Sequence, residues 1–265
     1  MTTATGAPPP VLEARGIAKS YGSVTALRSA SISVAPQEVH ALIGDNGAGK
    51  STLIKVLSGT VIPDRGTISV DGQPVVMNSP TEAKALGIET VYQDLALADS
   101  LDAAQNIFLG RELMRPGIAG ALGFYQKAKM RETTRRYLKD LGITLPSIDA
   151  PVGGFSGGQR QAVAVARAAV WAKRLIILDE AMAALGHVQT GHVLDMVART
   201  KELGLSVILI SHNMPEVLRV ADRITVLRLG ETALTVDAKD ADTDLLVAAM
   251  TGSLKNKDKP RGDAR

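Results

Sequence analysis

The chain has 265 residues, 45% of them apolar and 3% aromatic, which is ample for one compact unit with a subdomain. Its 30 basic residues against 27 acidic ones leave a modest formal charge of +3, and nucleic acid is not expected among its partners. The absence of cysteine excludes disulfides, thiolate metal sites and cysteine nucleophiles, and without a run of about 18 apolar residues or a basic-then-apolar leader neither a membrane span nor a secretory signal is expected.

The opening MTTATGAPPP (1–10) reads as disordered. Alternating apolar positions at Leu12 to Ile17 and at Ile32 and Val34 predict strands, and Ile68, Val70, Asp71-Gly72 and Val75 form a hairpin signal. A small antiparallel sheet is therefore expected beside the core. Between these strands the apolar run Val39, Ala41, Leu42, Ile43 leads into GDNGAGKST, and Leu53, Ile54, Val56 and Leu57 follow at helical spacing.

That segment fits the phosphate-binding loop pattern of glycine, four free positions, then glycine, lysine and serine or threonine. A glycine-rich turn before a helix is the plainer alternative, but the strand before and the helix after are the context a phosphate loop requires. Gly44, Gly47 and Gly49 let the chain curl, with Asn46 and Ala48 between them, so that backbone N–H groups from Gly47 to Ser51 face an anion at the positive helix end. Lys50 would reach the β- and γ-phosphates, the Ser51 hydroxyl would ligate Mg²⁺, and Thr52 completes the motif. The expected small molecules are ATP and Mg²⁺.

Beyond Gln93 the character changes. Ala103 to Leu113 and Gln126 to Leu141 read as helices, the second with Met130, Tyr137, Leu138 and Leu141 on one face, so a helical insertion at about 94–160 divides the core. Phe155 to Gln159, FSGGQ, opens an alanine-rich helix; Ser156 is a good N-cap, and Gly157 and Gly158 leave the first N–H groups accessible to a second anion. LIILDE at Leu175 to Glu180 reads as a buried strand delivering Asp179 and Glu180 to the carboxyl edge of a sheet. An acidic strand end alone also fits a capped turn; beside a phosphate loop it suits Asp179 in the Mg²⁺ shell and Glu180 as the base for an attacking water. Helix and strand then alternate through Val193 to Val197, Ser206 to Ile210, Glu216 and Ile224 to Leu227, the rhythm of a parallel sheet covered by helices. His40, His187 and His192 lack metal-like spacing and read as structural or exposed, and the basic end (251–265) reads as a disordered tail.

In this order, the phosphate loop, Gln93 after a strand, FSGGQ, LIILDE and His212 after a strand resemble the ATP-binding cassette family, whose signature reads LSGGQ. The resemblance covers about residues 11–250 and implies an α/β fold: a P-loop core with a mostly parallel sheet, a flanking antiparallel β-subdomain and a helical signature subdomain. It implies that Tyr21 stacks on adenine, that Gln93 touches Mg²⁺ and the lytic water and faces a membrane subunit, and that His212 contacts the γ-phosphate and orients Glu180. It further implies head-to-tail pairing, in which Ser156, Gly157, Gly158 and Gln159 contact ATP held by the other subunit.

GDNGAGKST, VYQDLAL, AALG and ISHNMPEV resemble the bacterial sugar importers of the ribose, xylose and fructose type in their single-cassette form. That implies a peripheral subunit at the cytoplasmic face of the membrane, with permease subunits, a second cassette and, indirectly, an extracytoplasmic sugar-binding protein as partners. Two features depart from the pattern. Ala181 and Met182 follow Glu180 where the family has proline and threonine or serine, which allows the alternative of a regulatory cassette that turns ATP over poorly. Gly186 stands where many cassettes carry aspartate, although the sugar-importer branch often has glycine there, and Phe155 replaces the signature leucine.

Overall fold

The computed structural model describes residues 8–180 and 186–254, and the side chain of His187 is not among those described. Residues 1–7, Ala181 and Met182, and the tail from Lys255 onward, for which the sequence sets expectations, lie outside the described residues.

Three short apolar runs form the centre. Strands β1 (Leu12–Tyr21) and β2 (Val24–Val34) precede β3 (Val39–Ile43), which is buried along its whole length and feeds α1 (Lys50–Leu57). The hairpin β4 (Arg65–Val70) and β5 (Gln73–Val75) turns at Asp71 and Gly72, both at positive φ, as its Asp-Gly signal requires. Helix α2 (Pro80–Ala85), with Ser79 as N-cap, leads to β6 (Ile88–Val91). The insertion holds α3 (Ala103–Phe108), the four-residue α4 (Ile118–Ala121) and α5 (Lys127–Asp140). Helix α6 (Gly157–Trp171), β7 (Leu175–Asp179), α7 (His187–Glu202), β8 (Ser206–Ile210), α8 (Met214–Val220), β9 (Arg223–Arg228), β10 (Glu231–Asp237) and α9 (Thr243–Thr251) complete the chain.

The strands form one ten-stranded sheet in the order β5-β4-β1-β2-β10-β9-β3-β8-β7-β6. The run β9-β3-β8-β7-β6 is parallel throughout. The antiparallel strands join the same sheet instead of standing apart: a single parallel pairing of Glu231 with Ser29 makes the link, reinforced by Arg28 N–H donating to the Gly230 carbonyl at 2.8 Å. Helix α3 stops at Phe108, short of the expected Leu113, because Leu109 turns extended and Gly110 adopts a φ of 74°.

Two-residue periodicity sorts the buried strands onto two faces. Leu175, Ile177, Ile208 and Ile210 pack with Leu53, Ile54, Val56 and Leu57 of α1, whereas Ile176, Leu178, Val207 and Leu209 pack with α6 and α7. Burying a large aliphatic side chain is worth about 2 kcal/mol, so each face holds its strand ends in register firmly enough to carry a site.

Candidate functional site

The parallel run sets the geometry. Strands β3, β8, β7 and β6 are neighbours and run in one direction, so the residues beyond their carboxyl ends share one edge of the sheet. β3 delivers the phosphate loop, β8 delivers His212, β7 ends in Asp179 and Glu180, and β6 leads to Gln93. Register makes the neighbours concrete, pairing Leu42 with Ile210, Ile210 with Asp179, and Leu178 with Val91.

The loop takes its shape from two close approaches. A Cβ on Gly44, at φ 155°, would collide with the Leu227 carbonyl, and a Cβ on Gly49, at φ 105°, would lie 2.8 Å from the Ala26 carbonyl. Gly49 is also the N-cap of α1 and offers no side-chain acceptor, which leaves the first helical N–H groups open. Ala48 N–H donates to the Asp45 carbonyl at 3.1 Å, and the Ala48 carbonyl accepts from Gly230 N–H at 3.0 Å. Lys50 folds back across the loop, its Nζ donating to the Gly44 carbonyl at 2.6 Å and the Asp45 carbonyl at 3.1 Å. Burial pushes the Lys50 ammonium below its ordinary range, opposed by the negative charges of Glu180, Asp45 and Asp179.

Asp179 shows the converse. Burial, followed by repulsion from Glu180, raises its carboxyl above the ordinary range, against the pull of Lys50 and Lys55. Neither the Asp179 nor the Glu180 side chain has an ion-pair or hydrogen-bond partner among the described residues, and Glu180 sits in the left-handed region at φ 49°. A desolvated carboxylate at the rim of an anion loop suits a cation between itself and a phosphate. Among the described residues no group of three acidic or histidine side chains converges. The oxygen-bearing side chains that could hold Mg²⁺ here are those of Ser51, Asp179 and Gln93, a small set of the kind this ion completes with phosphate and water.

Gln93 and His212 are both exposed. Around His212, Asn213 N–H donates to Ser211 Oγ at 3.0 Å and the Asn213 amide donates to Glu216 at 2.6 Å, which fixes the turn into α8. The segment after Gln93 is held from outside the site: Arg167 of α6 donates to the Leu95 carbonyl at 2.6 Å and the Ala96 carbonyl at 2.8 Å. Nothing in the sequence patterns singled out Arg167, because its partners are backbone carbonyls about seventy positions away. The same side bears a cavity of about 300 Å³ whose lining includes Lys84, Glu89, Tyr92, Arg111, Arg167 and Trp171. There Arg111 lies 2.7 Å from Glu89 and 5.0 Å from the Trp171 ring; the pairing with Glu89 is ionic, since Glu89 Oε1 lacks a partner of proper hydrogen-bond geometry.

Tyr21 is 45% exposed and pairs with Val24 across the end of β1 and β2, with Lys19 Nζ over its ring at 5.9 Å from the centroid. The signature residues stand elsewhere. Ser156 Oγ accepts from Gln159 N–H at 3.3 Å, and Gln159 Oε1 accepts from Ser156 N–H at 2.9 Å, a reciprocal cap that fixes the start of α6. Ser156, Gly158 and Gln159 border a cavity of about 390 Å³ against Leu141–Thr144 and α7, and no phosphate-loop residue lines it. One chain does not bring its signature helix to its own phosphate loop at this cavity. His192 is exposed, and His40 is fully buried between Glu38 and Thr225, each at 2.7 Å, a structural histidine.

A phosphate loop, an acidic strand end and polar residues on four adjacent parallel strands define a P-loop nucleotide-binding ATPase. The ABC transporter family model matches residues 27–183, and the chain belongs to that family of ATP-hydrolysing cassettes. It is 48% identical over 254 residues to the fructose import ATP-binding protein FrcA of Rhizobium meliloti, covering 95% of this chain and 96% of that one. It is 44% identical to the xylose/arabinose import ATP-binding protein XylG of Sulfolobus acidocaldarius, covering 91% and 94%. Against a ribose import ATP-binding protein of Rubrobacter xylanophilus it is 40% identical over 92% of its own length but 46% of the relative's. The crystal structure of the ADP conformation of an ATP-binding cassette of an ABC transporter superposes with a TM-score of 0.78 at 26% identity, covering 92% of this chain and 99% of that one.

Proposed function

We propose that the chain is the ATP-hydrolysing subunit of an importer for a monosaccharide or similar polyol, working at the cytoplasmic face of the membrane. The single observation that carries the ATPase chemistry is the gathering of Lys50, Asp179, Glu180, Gln93 and His212 beyond the carboxyl ends of adjacent parallel strands. The likeness to fructose and xylose/arabinose import ATP-binding proteins supports the sugar. Residues 11–250 act as one ATPase domain, with about 94–160 as its helical insertion.

In this reading the loop N–H groups and Lys50 hold the β- and γ-phosphates, and Tyr21 stacks on the adenine. Ser51, Asp179 and Gln93 would hold Mg²⁺, which neutralises phosphate charge when bound. Glu180 accepts a proton from the water whose oxygen bonds to the γ-phosphorus as the bond to the ADP oxygen breaks. His212 donates to the γ-phosphate and keeps Glu180 and the water aligned. Ser156 to Gln159 belong to the ATP site of a second copy, so ATP joins two chains and its hydrolysis releases them. Permease segments seat in the cavity beside Arg111 and Arg167, where a change near Gln93 is felt through Arg167, and a sugar-binding protein delivers solute from the other side.

The test is Mg²⁺-dependent ATP hydrolysis across a series of protein concentrations, beside Glu180→Gln. Turnover that rises more steeply than linearly and vanishes in the variant is expected; a variant as fast as the parent would remove Glu180 from the role of base. Growth on single sugars after gene deletion tests the substrate class, and unimpaired growth on every monosaccharide would defeat it. Binding without turnover under all conditions would favour the regulatory alternative that Ala181 and Met182 suggest.

A further inference from the structure

Between α3 and α5 the chain leaves the body as a closed loop. Arg115 N–H donates to the Phe124 carbonyl at 2.8 Å and Gln126 N–H to the Leu113 carbonyl at 2.6 Å, while the Gln126 side-chain amide donates to the Met114 carbonyl at 2.7 Å. These bonds clamp the base and leave α4 at the tip, started by Gly117 at φ 71° and with none of its residues buried. The large apolar side chains of the tip face solvent: Ile118 is 80% exposed, Leu122 71% and Phe124 59%. Ile118 and Leu122 are four positions apart across α4 and its cap, which puts them on one face.

The rim has one sign. From 111 to 131 there are five basic side chains and a single acidic one, Glu112. Arg111 is paired with Glu89 and Arg131 with Asp149, but Arg115, Lys127 and Lys129 are exposed and have no ion-pair partner among the described residues. An apolar cluster of this kind marks a surface that something covers. A protein interface is depleted in lysine and gathers its apolar residues in a packed centre, whereas here the apolar residues project and Phe124 lines one hollow with Arg115, Lys127 and Lys129. Projecting apolar side chains with a cationic rim are the chemistry of a segment that lies in the headgroup layer of an anionic bilayer.

We propose that residues 113–131 form a lipid-contact site: Ile118, Leu122 and Phe124 enter the boundary between headgroups and acyl chains while Arg115, Lys127 and Lys129 hold lipid phosphates. The site gives the chain its own reversible hold on an anionic membrane. It rests on the importer reading only for the presence of a bilayer and involves neither ATP nor the permease.

The experiment is flotation of the full-length chain with phosphatidylcholine vesicles containing about 30% phosphatidylglycerol, against phosphatidylcholine alone, at low and raised salt. Binding to the anionic vesicles, weakened by salt, is expected. Removing one basic residue near the surface weakens binding about fivefold, so Arg115→Gln with Lys127→Gln and Lys129→Gln should lose roughly a hundredfold. Ile118→Ser with Leu122→Ser and Phe124→Ser should lose at least about tenfold. Because the chain has no cysteine, Ile118→Cys can carry a single environment-sensitive dye, whose emission should shift to the blue on anionic vesicles. Equal binding to neutral vesicles, no blue shift, or loop variants that float like the parent would each overturn the proposal, the last by assigning the contact to another surface such as the basic tail. Failure to float at all would overturn it too, and would assign the loop to a protein partner. ATP binding by the same samples reports the integrity of the nucleotide site, so a failed ATPase reading and a failed lipid reading are told apart.

Discussion

Lys50→Met separates two accounts of the same side chain. Lys50 either holds the phosphate loop together through the Gly44 and Asp45 carbonyls, at 2.6 and 3.1 Å, or is stored there to receive phosphate. In the first account the variant loses two hydrogen bonds from a charged donor, at about 1.5–3 kcal/mol each, and leaves two carbonyls unpaired, so the nucleotide-free fold should fall by at least about 3 kcal/mol. In the second, those bonds are offset by the cost of a buried ammonium, which shows in its lowered pKa, and water entering the open loop takes over the two carbonyls, so exchanging it for an apolar group of similar length should leave stability within about 1 kcal/mol. ATP affinity then carries the loss. Two charge-assisted bonds to phosphate are worth about 3 kcal/mol net, or roughly 150-fold in Kd. Urea unfolding without nucleotide and calorimetric titration with ATP read the two quantities separately. Stability within about 1 kcal/mol together with a Kd weakened more than tenfold is expected; a strong loss of stability with affinity nearly unchanged would refute the assignment.

Asp179 binds its proton more tightly in the native chain than in an ordinary carboxylate, so its contribution to stability is present below about pH 3.8 and is lost as pH rises through its raised value. Asp179→Asn should therefore be more stable than the parent at neutral pH without nucleotide, with the advantage shrinking toward acid; a difference in urea midpoint that does not change with pH would contradict this. Arg167→Met removes the two bonds to the Leu95 and Ala96 carbonyls and should cost about 3 kcal/mol in urea unfolding. It should also slow turnover with ATP affinity kept, and turnover equal to the parent's would dissociate Arg167 from the action of Gln93. Finally, Lys50→Met and Ser156→Arg chains, each inactive alone, should regain hydrolysis when mixed, because one of the two sites in a mixed head-to-tail pair has both halves intact. No recovery at any ratio would argue against composite sites.

What the sequence carried best was whatever is contiguous. A phosphate loop is a strand, a curl and a helix start within one short stretch, and each residue's part follows from its own backbone and neighbours; Gly44 to Thr52 were readable for that reason. The Asp-Gly turn at 71–72 and the Ser156–Gln159 cap are equally local. The apolar spacing after Ala103 continues past Gly110, where the backbone turns away, so it overstates the length of α3. Asp179 and Glu180 were weak alone and became informative only beside the phosphate loop.

The tertiary structure decided everything that depends on pairs distant in sequence. It joined the antiparallel strands to the core through Ser29 and Glu231, placed His40 between Glu38 and Thr225, and tied Arg167 to the segment after Gln93. It also turned Ile118, Leu122 and Phe124 outward, although an apolar residue in a loop reads as core as easily as surface. Local chemistry is written in neighbouring residues, where backbone geometry and hydrogen bonding act over a few positions. Contacts between distant residues exist only once the strands have taken their order and register, and packing of the whole core sets that order.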